Sequence, residues 1–227
     1  PEPRIWFATG FGLVMTFDTG WWWDYQNLIS DQFGFSQIRE EVASRLASRI
    51  LVQEGDIANH VRDRDMTVVG AGILSSTKIP ESDLVVADGA LRACLEREVV
   101  PDFVVTDFDG YVSDVIWASE RGSKVVVHCH GDNMATLYQY SSRIRPVCIT
   151  TTYPSADTSC WGGFTDGDRA LMMLLSLGCK SARLIGFDFS RIGDYSGDYS
   201  PRKMEKLAWA QKIVNECMTR SGSVSLA

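Results

Sequence analysis

The chain has 227 residues, 22 Lys+Arg against 29 Asp+Glu, a formal net charge of −7 and a pI near 5.0. That length supports one substantial core with at most a small appendage. The acidic balance argues against a nucleic-acid partner held through its phosphate backbone, and no run reaches the roughly 18 apolar residues of a membrane-spanning helix. The 6 cysteines show no C-x-x-C spacing and lie in apolar settings such as Val147-Cys148-Ile149. That is the pattern of reduced thiols in a cytoplasmic protein, not of a disulfide framework or a zinc site. The start, Pro-Glu-Pro-Arg, lacks the basic and apolar segments of a signal peptide, so none is expected.

Residues 1–62 read as an accessory region, largely helical and rich in aromatics. Trp6, Trp21, Trp22 and Trp23 fall there, with Phe7, Phe11, Phe17 and Tyr25 among them. The cluster either lines a ligand pocket or serves burial, as a small packed subdomain or a dimer contact, and burial is the commoner use of large aromatics. From Ser36 the spacing of Ile38, Val42, Leu46, Ile50 and Leu51 predicts a helix with one apolar face. Gly55 is its expected stop, within a Glu54-Gly55-Asp56 turn.

Residues 63–227 read as an α/β domain, because strands and helices alternate from Met66 onward. Strands are expected at 67–69, 84–87, 103–105, 124–127, 146–150 and 181–185. Helices are expected at 91–98, 112–121, 134–142, 166–177 and 201–218, the last with Pro201 in its first turn. The pattern predicts a mostly parallel, Rossmann-like sheet with helices on both faces. An eight-residue echo, Gly193-Asp194-Tyr195-Ser196 then Gly197-Asp198-Tyr199-Ser200, precedes the final helix.

The chemistry gathers at strand ends. Phe103-Val104-Val105 reads as a strand buried on both faces, and just beyond it stand Asp107, Phe108, Asp109 and the turn-forming Gly110. Ligands of open parallel sheets bind outside the carboxyl ends of the strands. Two carboxylates there cannot be desolvated as bare anions at low cost, so they call for a cation. An oxygen-only donor set shared with substrate phosphates suits Mg²⁺.

Other strand ends add to this. Gly70-Ala71-Gly72 either lets a backbone approach a phosphate or makes a tight turn, since Ser75 stands where a dinucleotide fingerprint needs its third glycine. Asp88 follows a strand, where caps and turns also use aspartate. His128, His130 and Asp132 alternate after another strand, either as metal ligands or as hydrogen-bonding groups. In Gly162-Gly163-Phe164-Thr165-Asp166-Gly167-Asp168-Arg169, Thr165 is a natural N-cap. The helix start with Arg169 suits a phosphate, while Asp166 and Asp168 serve equally as capping acids. Asp188 closes a further strand. Several acids along one edge argue for metal and phosphate chemistry better than any single one.

Ala87-Asp88-Gly89-Ala90, Pro101-Asp102 and Thr106-Asp107-Phe108-Asp109-Gly110 resemble the pattern of thiamin pyrophosphokinase-like proteins. His128 to Asn133, Gly163 to Ala170 and Gly186-Phe187-Asp188-Phe189 resemble one branch of it, the archaeal 6-hydroxymethyl-7,8-dihydropterin pyrophosphokinases of the MptE-like family. The resemblance covers about residues 66–218. It implies transfer of diphosphate from ATP to the pterin hydroxymethyl group, giving AMP, with Mg²⁺ or a similar divalent ion. It further implies Asp107 and Asp109 as catalytic, and Asp88, Asp107, Asp109 and Asp132 around the metal. Gly70, Gly72, His130, Asn133, Arg169 and Lys203 would meet the nucleotide phosphates, and Phe164, Thr165, Asp166 and Asp168 the pterin, with Trp161 a second stacking candidate. The partners implied are small molecules, ATP and pterin, with no nucleic acid or membrane and with a homo-oligomer admissible. Gly72-Ile73-Leu74-Ser75 departs from the family's Gly-Pro-Ser, and His130-Gly131-Asp132-Asn133 replaces the Lys-Asp-x-Thr-Asp of thiamin enzymes. A glycosyl- or nucleotidyl-type transferase, or a thiamin pyrophosphokinase, is the alternative activity, and a non-catalytic nucleotide-binding module a third reading.

Overall fold

A computed structural model describes residues 17–227, apart from residues 51, 54, 55 and 198. Seven strands form one sheet: β1 (Asp65–Val69), β2 (Leu84–Ala87), β3 (Phe103–Thr106), β4 (Lys124–Cys129), β5 (Cys148–Thr151), β6 (Ser181–Ile185) and β7 (Val224–Leu226). Their order is β5-β4-β3-β2-β1-β6-β7 and every pairing is parallel. The short apolar runs form these strands because both sheet faces are covered. Val85, Val86, Val104 and Val105 are completely buried, as a two-sided parallel sheet requires.

On one face lie α1 (Trp22–Phe33), α6 (Asp166–Ser176) and α7 (Pro201–Ser221), packed on Val68, Val85, Phe103 and Val105. On the other lie α2 (Gln37–Ala47), α3 (Asp88–Leu95), α4 (Val112–Glu120) and α5 (Met134–Ile144), packed on Val69, Val86, Val104 and Val127. α6 is buried nearly all round, which explains its unbroken Ala170-Leu171-Met172-Met173-Leu174-Leu175 run. It lies across β1, β2 and β3, so its N-terminus reaches the carboxyl ends of the central strands. No helix among the described residues is long and apolar enough to cross a membrane.

The accessory residues join both layers. Trp22 is buried in the core, Trp21 stands edge-on to Tyr25 at 5.1 Å, and Tyr25 meets Trp209 at 5.7 Å. Trp6, Phe7, Phe11, Leu51, Glu54, Gly55 and Asp198 lie outside the described residues. The α2 face differs from the periodicity expectation: Ile38 is 75% exposed and Val42 41%, while Glu40, Ala43, Ser44 and Ala47 are buried. Small Ala43 and Ala47 bring the helix close to the sheet. Glu40 is drawn inward because its carboxylate accepts the Gly131 N–H and the Thr152 hydroxyl, each at 2.9 Å. β7 carries no sequence signal, since only Val224 of its three residues is buried.

Candidate active site

Strand register assembles the site. Ala87 pairs with Val105, so the next residues, Asp88 and Thr106, stand side by side; Thr106 pairs with Val127, which brings Asp107 beside His128. Asp88 opens α3 and is buried. Its Oδ2 accepts the Thr106 hydroxyl at 2.6 Å and the Gly110 N–H at 3.3 Å. Gly110 must be glycine, because a Cβ there would stand 2.5 Å from Asp88 Oδ1. The turn between them is fixed from inside: Thr106 Oγ1 accepts the Phe108 N–H at 2.8 Å, and Asp107 Oδ1 accepts the Asp109 N–H at 3.0 Å. Phe108 takes φ 65°, a left-handed conformation uncommon for a bulky residue and found where surroundings over-determine the backbone.

Asp166, first residue of α6, completes the cluster from the opposite sheet face. Asp88, Asp107 and Asp166 each offer an oxygen within 4.8 Å of the others. Burial, with Asp107 and Asp109 adding repulsion, raises Asp88 to about 6 against the hydrogen bonds that favour its anion. Burial and then Asp107 and Asp88 push Asp166 well above the usual carboxylate range. Three oxygen donors holding mutually repelling, dehydrated charge fit a hard divalent cation.

Asp109 stands exposed at the rim. Its pKa is raised by dehydration and by Asp107, with Lys206, His130 and Lys203 acting in the opposite sense. Asp132 is not among the converging carboxylates: it pairs with Arg39 at 2.8 Å, and Arg39 also donates to the Gly131 carbonyl at 3.0 Å. The Arg39 contacts dock α2 on the β4–α5 loop.

Arg169 sits one turn into α6, only 6% exposed. Its Nη2 donates to the Phe164 carbonyl at 3.3 Å, but its buried Nε has no hydrogen-bond partner among the described residues. Burial lowers its pKa, while Asp166, Asp168 and Asp107 hold it up. A buried guanidinium with an orphaned donor is costly unless an anion completes it.

Several residues expected to meet ligands make structural contacts within the chain. The Asp168 carboxylate accepts the N–H of Phe164 at 2.5 Å and the Thr165 hydroxyl at 2.7 Å, and with Thr165 forms a capping box. Phe164 packs on Phe33 at 5.0 Å, and Trp161 is buried in the core. Asn133 donates to the Asp107 carbonyl at 2.8 Å and the His128 carbonyl at 2.7 Å and accepts the His130 N–H at 2.9 Å. It therefore ties the β3 end to the β4 end. Gly70 and Gly72 donate to the carbonyls of Ile185 and Gly186, each at 2.9 Å, and a Cβ on either would come within 3.0 Å of Gly186 O. Those amides are paired with the β6 end, and close packing of β1 on that end requires glycine at both positions. Lys203 Nζ donates to the Ser196 carbonyl at 2.6 Å. Asp188 is held away from the cluster by Ser190 and by Arg191 at 2.7 Å.

The histidines line the neighbouring strand end. His128 is buried, with Nδ1 3.0 Å from Thr150 Oγ1 and its ring stacked on His130 at 5.8 Å. Burial and the nearby Arg169 hold it well below the usual histidine range. His130 Nδ1 accepts the Asp132 N–H at 3.3 Å, which turns Nε2 toward Asp107 Oδ2, 3.9 Å away. Sequence reasoning missed Thr106, Arg39 and Glu40. Thr106 could have been found as a hydroxyl next to the acidic turn; Arg39 and Glu40 had no local signal.

An all-parallel sheet wound on both faces, with its acids and buried arginine collected beyond the carboxyl ends of the central strands, defines the α/β class with a ligand site at the strand ends. The chain belongs to the MptE-like family of 6-hydroxymethylpterin diphosphokinases, whose model matches residues 78–194. A 6-hydroxymethyl-7,8-dihydropterin pyrophosphokinase of Methanothermobacter thermautotrophicus is 34% identical over 90% of this chain and 97% of its own. Proteins of the same name from Pyrococcus furiosus and Methanocaldococcus jannaschii are 34% and 28% identical over 85% and 86% of this chain, and 91% and 93% of theirs.

Proposed function

We propose that the protein transfers the β,γ-diphosphate of ATP to the hydroxymethyl oxygen of 6-hydroxymethyl-7,8-dihydropterin, releasing AMP. The convergence of Asp88, Asp107 and Asp166 beside the orphaned Arg169, in a chain whose relatives bear that name, carries the reading. In this reaction the alcohol oxygen bonds to the β-phosphorus, the bond from that phosphorus to the α,β-bridging oxygen breaks, and AMP takes the bridging oxygen. Asp88, Asp107 and Asp166 would hold Mg²⁺, which when bound neutralises phosphate charge during the displacement.

The chain's own groups do the rest. Arg169 supplies the donor that a phosphate oxygen completes. Lys206, close enough to act on Asp109, adds positive charge at the mouth. Asp109, exposed and with a raised pKa, would accept the hydroxymethyl proton. His128, kept neutral by its burial, shapes the wall without adding charge. The test is incubation of the purified protein with ATP, Mg²⁺ and reduced 6-hydroxymethylpterin. Pterin diphosphate and AMP should appear in equal amounts; ADP in place of AMP, or no product, would overturn the proposal.

A further inference from the structure

Tyr111 follows the acidic turn directly, yet the residue is 70% exposed. Gly110 N–H donates to Asp88 Oδ2 at 3.3 Å, so the Tyr111 backbone is anchored one residue from the acid cluster. Tyr111 is the N-cap of α4, and its carbonyl accepts the Asp114 N–H at 2.8 Å. Behind the ring lies Arg92, with Cζ 5.0 Å from the centroid. Arg92 lies in the last turn of α3, the helix that Asp88 opens, so the ring packs beside α3 while its backbone adjoins the acidic turn. The guanidinium is itself fixed: Nε and Nη2 donate to the two oxygens of Asp114, both at 2.7 Å, and Asp114 is only 6% exposed. The Ser113 hydroxyl donates to the same carboxylate at 3.3 Å.

We infer that the open face of Tyr111 is a stacking platform for the planar nitrogen heterocycle of a substrate. A tyrosine serving burial would be enclosed as Trp22 is; this one is held by its backbone and backed by a cation, with most of the residue left in water. Arg–aromatic contact orients a ring, and tyrosine gives a rigid contact surface at low entropy cost. Sequence-tolerant stacking on such side chains is a recurring way to hold heterocyclic bases. The inference rests on the diphosphotransferase reading, whose two substrates carry adenine and pterin rings, and either could be the occupant.

The experiment compares Tyr111→Ala and Tyr111→Phe with the parent, each titrated with AMP-PNP plus Mg²⁺ by calorimetry and with 6-hydroxymethylpterin by its fluorescence, alongside turnover. Tyr111→Ala should weaken one ring by about tenfold, the size that removal of a stacking partner produces, while Tyr111→Phe retains it. Loss confined to AMP-PNP identifies the platform as adenine's; loss confined to the pterin assigns it to that ring. Unchanged affinity for both overturns the platform, as does equal loss in Tyr111→Phe or a loss for both rings with a lowered Tm. A parent that turns over pterin while Tyr111→Ala titrates unchanged refutes the platform alone. A parent without turnover whose AMP-PNP affinity still falls in Tyr111→Ala refutes only the diphosphotransferase reading, and a parent that binds neither probe refutes both.

Discussion

Thr106 Oγ1 donates to Asp88 Oδ2 at 2.6 Å while accepting the Phe108 N–H at 2.8 Å. One buried hydroxyl thus positions a carboxylate on one strand end and supports the left-handed residue at the next. Thr106→Val keeps the shape but leaves the Phe108 N–H orphaned and Asp88 with one fewer donor. It should cost about 1–3 kcal/mol of stability, seen as a lowered Tm, and reduce kcat/KM by roughly tenfold or more through displacement of Asp88. Thr106→Ser should restore both; a valine variant with normal kinetics would remove Thr106 from the positioning role.

Burial of the carboxylates, reinforced by their crowding, predicts how the metal-free protein responds to pH. Asp88 is raised in the folded state to about 6 from 3.8. Below the lower value both folded and unfolded chains carry the proton; between the two only the folded chain does. Above about 6 the folded chain holds a buried anion that unfolding would hydrate. The stability associated with Asp88 protonation is therefore present at low pH and lost as pH rises through about 6. The full difference is about 3 kcal/mol, and Asp166 is shifted in the same direction. In EDTA, calorimetry should show Asp88→Asn more stable than the parent at alkaline pH, with the gap closing toward pH 4. Added Mg²⁺ should raise the parent's Tm more than the variant's.

Strands β1 to β6 and the acidic edge were legible because their signals are local. Apolar runs such as Leu84-Val85-Val86-Ala87 read as two-sided strands, and Asp88 and Asp107, directly after β2 and β3, mark the ends of those two. Which acids converge was not legible, because it depends on register and on α6 crossing the opposite face. Asp166 joins Asp88 and Asp107 from far along the chain, while Asp132, adjacent to a strand end, is diverted by Arg39. Periodicity misread α2 for a related reason: Glu40 is buried by a partner 91 residues away, and no window of sequence contains both.

Arg169 should separate binding from folding. Met fills similar volume without charge, so Arg169→Met should leave the Tm near the parent's while raising KM for ATP by about tenfold, the loss of one charge-assisted contact to phosphate. Arg169→Lys should not rescue it, because a single ammonium cannot serve the Phe164 carbonyl and a phosphate with the guanidinium's geometry. Steady-state kinetics with ATP as the varied substrate decide this; an unchanged KM for both variants would remove Arg169 from phosphate recognition.

Glu40 ties α2 to the β4–α5 loop and to the chain after β5. Glu40→Ala leaves the Gly131 N–H and the Thr152 hydroxyl without this acceptor, at a cost of about 1–3 kcal/mol each where they stay dry. Glu40→Gln keeps one acceptor oxygen and should lose less. Chemical denaturation should show this ranking, and a Glu40→Ala protein as stable as the parent would mean that water replaces the carboxylate.

Gly163 has φ +94°, and a Cβ there would overlap the Cα, Cβ and N of Arg169. The obstruction is helix backbone, so Gly163→Ala must displace the first turn of α6, which carries both Asp166 and Arg169. Gly34 is the control, with φ +69° and none of the described residues within 4 Å of an added Cβ. Gly34→Ala should cost only the left-handed strain, about 1–2 kcal/mol, and leave turnover intact below its Tm. Gly163→Ala should cost more than that and lose activity at temperatures where it remains folded, since the acid cluster and the anion-seeking guanidinium move together. Equal Tm losses with equal turnover in the two variants would show that the α6 turn tolerates the shift.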